Sequence, residues 1–316
     1  MSKRKFCSIF AILIAAFALG GCDKSPEPVE EAKPNLNIHE ETVSAKMSEY
    51  TIFFIADSHI SMCDDRDAEL MEKAANRSNS FTVEGAAPQE TFDRLIDEAN
   101  KSDADIVIFG GDIIDSAMYA SIEHVEEQLK KLKKPYIYFM GNHDFEYGSE
   151  YFSEAAFNEY LPRLNAVRGN ESYQIKEEED LIVFAADDNS NQITPEALVA
   201  FKEVVKKGKP IVLALHVPLE PQTGDESFLD ECKNVWGPSA DGKSRVTMGI
   251  NGVYPNEITK EFIDLVFDED SNVELVLAGH VHFYHDDMLT EGTEQIVTGA
   301  AFDGDAVKVT LKWPER

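Results

Sequence analysis

Cysteine is scarce in this chain of 316 residues: there are four, at positions 7, 22, 63 and 232. So few supply no disulfide framework and no thiolate-rich zinc knuckle. Basic residues are outnumbered, with 29 lysines and arginines against 59 aspartates and glutamates, for a formal net charge of −30. That balance repels polyanions. It argues against nucleic-acid binding through a basic face and against lipid adsorption through a polybasic patch. Long apolar runs are missing too. The longest, residues 6–19, has 14 residues, short of the roughly 20 that a spanning helix needs. What remains, 43% hydrophobic and 28% charged, is a globular composition with enough chain for one large or two small domains.

The N-terminus reads as a processing segment. Lys3, Arg4 and Lys5 precede the apolar run, and Leu19-Gly20-Gly21-Cys22 closes it. This is a signal-peptide pattern, and its ending resembles the lipobox of bacterial lipoproteins. The expectation is a lipoprotein signal peptide over 1–21, with Cys22 lipidated and the body held outside the cytoplasm on a bacterial membrane by acyl chains. A plain cleavage site and an uncleaved N-terminal anchor are the alternatives. Asp23 stands where, in lipoproteins of two-membraned bacteria, an aspartate often implies retention at the inner membrane. Residues 1–21 hold three basic and no acidic residues, so their removal takes the net charge from −30 to −33. Residues 22–48, with Pro26, Pro28, Pro34 and many glutamates, are expected to form a flexible tether, and 49–316 the folded domain. Cys63 and Cys232 could pair in an oxidising compartment, but a single pair gives no framework.

From Tyr50 onward short apolar runs alternate with amphipathic stretches. TIFFIA (51–56), DIVIF (105–109), PYIYFM (135–140), PIVLAL (210–215) and VELVLA (273–278) read as strands covered on both faces. Residues 89–101, 121–134 and 194–208 read as helices. The second carries Ile122, Val125, Leu129 and Leu132 at helical spacing, and the third opens on Thr194 and Pro195 and closes on Gly208. Alternating strands and helices predict an α/β fold. The later runs 174–188 and 294–313 look like strands joined by turns and predict a mixed sheet.

The residues just after each apolar run carry the chemistry. The five runs lead into Asp57-Ser58-His59, Gly110-Gly111-Asp112, Gly141-Asn142-His143-Asp144, His216, and Gly279-His280-Val281-His282. In open α/β sheets, sites form at the carboxyl ends of strands, so residues far apart in sequence can converge. Singly, each segment reads as a cap, a turn or a surface pair; five together do not. The set is rich in imidazole and carboxylate and lacks thiolate, which suits Zn, Mn or Fe. Seven such ligands are too many for one ion and suit two ions bridged by a carboxylate.

The ordered set DSH, GGD, GNHD, H and GHVH resembles the calcineurin-like metallophosphoesterase superfamily over about residues 50–312. The resemblance implies a two-sheet mixed β-sandwich flanked by helices, in four α/β/β/α layers, with two metal ions at the strand ends. By motif, Asp57, His59 and His282 would bind one ion, Asn142, His216 and His280 the other, and Asp112 both. His143 would face the scissile phosphate as the catalytic acid, with Asp144 orienting it. The nucleophile would be a hydroxide bridging the ions. The implied activity is hydrolysis of a small phosphodiester or phosphomonoester.

Two departures narrow the resemblance. Purple acid phosphatases carry a metal-binding tyrosine where Asp115 stands, so no iron–tyrosinate colour is expected. The protein phosphatase branch reads GDxVDRG, whereas this chain reads GDIIDSA, without that arginine. Asp115 is expected as a cap or a support rather than a ligand, and His285 as a residue outside the site. Substrate contacts are expected from the long segments 58–88 and 217–255, through Arg245 and Trp236, and from Tyr147 after GNHD. A lipoprotein that binds metal or a phosphorylated ligand without hydrolysis is the rival reading; it leaves His143 and Asp144 without a task.

Overall fold

The computed structural model describes residues 35–144, 154–169, 172–189, 191–240, 246–249 and 256–313. Two mixed sheets lie at its centre. The first has five strands in the order β1 (Asn37–Ser44), β11 (Asp305–Lys312), β2 (Tyr50–Ile55), β3 (Ile106–Gly110) and β4 (Tyr136–Phe139). The second has six, in the order β5 (Tyr173–Glu177), β6 (Ile182–Ala186), β7 (Ile211–Ala214), β8 (Val273–Ala278), β10 (Glu294–Val297) and β9 (His285–Met288). Strands β2, β3 and β4 run parallel, as do β6, β7, β8 and β10, while β11, β5 and β9 each pair antiparallel to a neighbour.

The strand alternation explains the layers. Ile52, Phe54, Ile106, Ile108, Ile137 and Phe139 of the first sheet share one core with Val183, Ala185, Val212, Ala214, Leu275 and Leu277 of the second. Their sequence neighbours point the other way. Phe53, Ile55, Val107, Phe109 and Tyr138 meet Phe92, Leu95 and Ile96 of α2 (Pro88–Lys101) and Ile122, Val125 and Leu129 of α3 (Tyr119–Lys131). Ile182, Phe184, Ile211 and Leu213 meet Leu198 and Phe201 of α5 (Pro195–Val205) and Phe262 of α7 (Asn256–Val266). Period-2 strands with both faces apolar therefore give an α/β/β/α sandwich, as the sequence predicts. The Thr194 side chain accepts from Ala197 N and caps α5.

Two sequence expectations change. The tether was expected to reach residue 48, but residues 37–44 form β1, a parallel edge strand on β11. Only its partner side needs apolar character, so NIHEETVS carries alternating polar residues and reads as linker. The segment 58–88 was expected as a long loop, yet it contains a 3₁₀ turn over Asp65–Leu70 and helix α1 (Met71–Ser80). Segment 217–255 likewise contains α6 (Ser227–Trp236). Cys63 and Cys232 are free thiols, the second buried. No described helix is long and apolar enough to cross a membrane. Cys22 and residues 1–21 lie outside the described residues.

Candidate metal centre

The strand ends turn abruptly. Asp57 (φ 58°), His59 (49°), Asp112 (51°), His280 (73°) and His282 (63°) all occupy the left-handed region. They are five of the eight non-glycine residues there among the described residues. Such backbone costs on the order of 1–3 kcal/mol per residue and gathers where function dictates a side-chain direction. The turns brace one another: Asp57 N donates to Gly111 O (3.0 Å), His59 N to Asp112 O (2.9 Å) and Gly279 N to His216 O (2.9 Å). Glycine is required where the turns touch. A Cβ on Gly111 (φ +86°) would lie 2.6 Å from Gly141 N and 2.7 Å from His216 Nδ1.

The side chains converge into overlapping groups. Ligand atoms of Asp57, His59 and His282 lie within 4.8 Å of one another, as do those of Asp112, His216 and His280, and those of His59, Asp112 and His143. Asp57 Oδ1 is 3.3 Å from His282 Nε2 and 3.8 Å from His59 Nε2. Asp112 Oδ2 is 3.1 Å from His216 Nε2 and 3.9 Å from His59 Nε2. The remaining carboxylate oxygens anchor the frame, with His280 N donating to Asp57 Oδ2 (2.8 Å) and His143 N to Asp112 Oδ1 (2.7 Å). His216 Nδ1 lies 2.9 Å from Gly110 O, and His59 Nδ1 3.2 Å from Asp115 Oδ1. A proton on each Nδ1 leaves each Nε2 lone pair facing the centre.

The donor set fits metal ions. Asp57 Oδ1, Asn142 Oδ1 and His216 Nε2 are buried and make no hydrogen bond, an arrangement that is costly unless a cation completes it. Electrostatics point the same way. Burial opposes ionisation of Asp57, but His282 and His216 outweigh it and hold the carboxyl below its usual range. Burial opposes ionisation of Asp112 as well, and His216 and His143 more than reverse it. Burial brings the His59 imidazole down to about 4, leaving it neutral as a ligand must be. Asp188, which accepts from His216 N and Val217 N (3.1 and 2.7 Å), is pushed up to about 7 by burial.

Asp144 does not have the place expected of it. Its Oδ2 accepts from Asp112 N (2.6 Å) and Gly141 N (2.7 Å), and its Oδ1 from Ile114 N (3.1 Å) and Tyr138 Oη (2.9 Å). Both oxygens are spent on tying the β3 and β4 turns together. The residue against His143 is Asp115, whose Oδ1 lies 2.7 Å from His143 Nδ1. Side chains of adjacent residues diverge, so Asp144 cannot reach a ring that Asp115 meets from the next turn. Burial works against the charged imidazole of His143, yet Asp112 and Asp115 raise it above the usual histidine range.

Aromatic rings border the His59–His282 half. Phe81, just after α1, stacks on His59 (centroids 4.2 Å apart, planes 12° apart), and Phe302 packs on Phe81 (4.8 Å). Trp236 stands 5.4 Å from His282 and is held by its Nε1, which donates to Val281 O (2.8 Å). It is the one expected substrate residue that can be placed at the site; Arg245 and Tyr147 lie outside the described residues. His285 stands apart, with Nδ1 2.9 Å from Glu231 Oε2.

A profile of calcineurin-like phosphoesterases matches residues 50–284. The chain belongs to the calcineurin-like phosphoesterase family. This calcineurin-like phosphoesterase is a metallophosphoesterase hydrolase, with its candidate His/Asp groups at the strand ends of both sheets. It is similar to a dimetal phosphatase from Danio rerio, at 12% identity over 80% of this chain and 88% of that one, with a TM-score of 0.48. It is also similar to a purple acid phosphatase from yellow lupin seeds (12%, 83% of this chain, 45% of that one, TM-score 0.48). A third similar structure is the phosphopantetheinyl hydrolase of Mycobacterium tuberculosis (12%, 81% and 92%, TM-score 0.41). No curated protein matches the phosphoesterase. Sequence reasoning missed Asp187 and Asp188, which end β6 as the other motifs end their strands and were open to the same reasoning. It also missed Arg77 and Phe81, for which the polar sequence of α1 gives no signal.

Proposed function

We propose that this phosphoesterase hydrolyses a small phosphodiester or phosphomonoester at two ions of Mn, Fe or Zn, outside the cytoplasm and tethered to a bacterial membrane through a lipid on Cys22. The supporting observation is that Asp112 belongs to two ligand groups at once, one with His216 and His280 and one with His59 and His143. Asp57, His59 and His282 would hold one ion, and Asn142, His216 and His280 the other, with Asp112 between them. Ions so placed would neutralise the phosphoryl charge and clamp the attacking and leaving oxygens of an in-line displacement. His143 carries the proton task. Asp115 takes its Nδ1 at 2.7 Å, so Nε2 is the atom that would protonate the leaving oxygen. The net charge of −30 keeps polyanions away from the surface, which favours small substrates. The tether rests on the pattern of residues 1–22.

The test is a phosphoester panel run on chain reconstituted with Mn, Fe and Zn. Bis-p-nitrophenyl phosphate against p-nitrophenyl phosphate separates diesterase from monoesterase. His143→Ala should retain metal and lose roughly 10²–10⁴-fold in turnover of a phenyl phosphoester, whose poor leaving group must be protonated. Full activity in that variant would sink the role of His143, and metal binding without turnover on any ester would favour a binding protein. Membrane fractionation of Cys22→Ala cells, with release of the protein as the expected result, tests the anchor.

A further inference from the structure

We propose that Arg77 is a positioning residue of the active site, the clamp that fixes Asp115 so that one carboxylate oxygen serves both His59 and His143. The inference rests on the proposed phosphoesterase activity for the task of His143, but not for the clamp itself.

Asp115 is fully buried, and its Oδ1 receives three groups. His143 Nδ1 is at 2.7 Å, His59 Nδ1 at 3.2 Å and Arg77 Nη2 at 2.9 Å. Its Oδ2 accepts from Arg77 Nε at 2.7 Å. A carboxylate turns easily about its last torsion. Left to itself, Asp115 would favour one imidazole and release the other. The two-pronged guanidinium contact removes that freedom, because parallel N–H···O bonds fix the plane of the carboxylate as well as its charge. Arg77 Nη2 is also 3.3 Å from His143 Nδ1. With a proton on Nδ1 both atoms are donors, so the carboxylate between them makes the arrangement favourable. With Nδ1 of each ring so held, the Nε2 atoms are aimed: that of His59 lies 3.0 Å from His282 Nε2 and 3.8 Å from Asp57 Oδ1.

The clamp is built into the last turn of α1. Arg77 and Phe81 are four residues apart, so they share one helix face, and Phe81 N donates to Arg77 O (3.2 Å). The guanidinium lies 4.6 Å over the Phe81 ring, and that ring stacks on His59. One helix end therefore grips the back of His59 with an aromatic face and the shared carboxylate with a cation. Two of the three guanidinium nitrogens, Nε and Nη2, are engaged on Asp115.

The experiment compares wild-type, R77A, R77K, H143A and R77A/H143A full-length chains, metal-reconstituted, on p-nitrophenyl and phenyl phosphoesters. Phenolate leaves poorly unless it is protonated, whereas p-nitrophenolate needs little help. R77A should lose roughly 10–100-fold more on the phenyl ester than on the p-nitrophenyl ester, as H143A does. On the phenyl ester at saturating Mn²⁺, where the share of Arg77 that acts through His59 and its ion is suppressed, the double variant should fall no further than H143A alone, because through His143 both residues act on one step. Added guanidinium should restore part of the phenyl activity to R77A, and R77K should lie between. Equal losses on both esters, or losses on the phenyl ester at saturating Mn²⁺ that add to those of H143A, would overturn the proposal. A readout without turnover separates it from the functional reading: the Nδ1–H proton resonances of His59 and His143 should be present in wild type and lost or broadened in R77K. Resonances unchanged in R77K overturn the clamp. An inert wild type whose resonances do respond overturns the phosphoesterase reading and leaves the clamp standing.

Discussion

Replacing Asp144 with alanine separates a structural carboxylate from a catalytic one. Four buried donors converge on this side chain: the backbone N–H groups of Asp112, Gly141 and Ile114 and the Tyr138 hydroxyl, at 2.6–3.1 Å. Each donor left without a partner costs about 1–3 kcal/mol, so even the low end of each gives a loss of about 4 kcal/mol. That is a large part of the roughly 5–15 kcal/mol by which a folded domain exceeds its unfolded chain. The donors also hold the two turns that present Asp112 and Asn142, so metal affinity should fall with stability. The assay is urea unfolding followed by circular dichroism, in the presence and absence of Mn²⁺. With a slope of about 3 kcal/mol per molar urea, the midpoint should drop by more than about 1 M. A midpoint within about 0.3 M of wild type, together with a selective loss on poor leaving groups, would refute this account and restore Asp144 as the partner of His143.

Other perturbations probe the frame. In Gly279→Ala the new Cβ would lie 2.5 Å from Asp57 Oδ2 and 2.7 Å from Ala56 Cβ; metal affinity measured by calorimetry should fall roughly 10–100-fold while the fold persists. Arg168→Met leaves the buried Asp187 carboxylate without its ion-pair partner and should cost about 3 kcal/mol at pH 8. Burial raises Asp187 to about 6, so below that pH the carboxyl can protonate and the loss should shrink, as unfolding at pH 5 would show. Burial, then Asp286 and Glu41, push Glu294 up to about 7. The folded chain therefore holds this proton over a range in which the unfolded chain has released it, and stability falls as pH rises from about 4.5 to about 7. Glu294→Gln should flatten that part of a melting-temperature profile; an unchanged slope would refute the assignment.

Burial decides which parts of the molecule are legible in the sequence. Strands β2, β3, β4, β7 and β8 are apolar on both faces and stand out as runs, and the ligands are the residues that end them. Edge strand β1 needed apolar character on one side only and passed for linker. Helix α1 carries Arg77, with Phe81 just past its end, on a mostly polar background, so nothing in its periodicity marks a link to Asp115, 38 residues away. The assignment of Asp144 failed for a geometric reason: adjacency in GNHD is adjacency of backbone, and the turn sends Asp144 toward N–H groups while His143 meets Asp115. The left-handed conformation of five candidate ligands has no sequence mark at all, since aspartate and histidine there carry no glycine signature.

The most direct test of the account is the metal content of the chain, measured by mass spectrometry alongside phosphoester turnover as Mn²⁺ is added to metal-free protein. Two ions per chain are expected, with turnover reaching its plateau at the second equivalent and both lost together in Asp112→Ala, because that carboxylate serves both ligand groups. Full turnover at one equivalent, or two ions and unchanged turnover in Asp112→Ala, would contradict it.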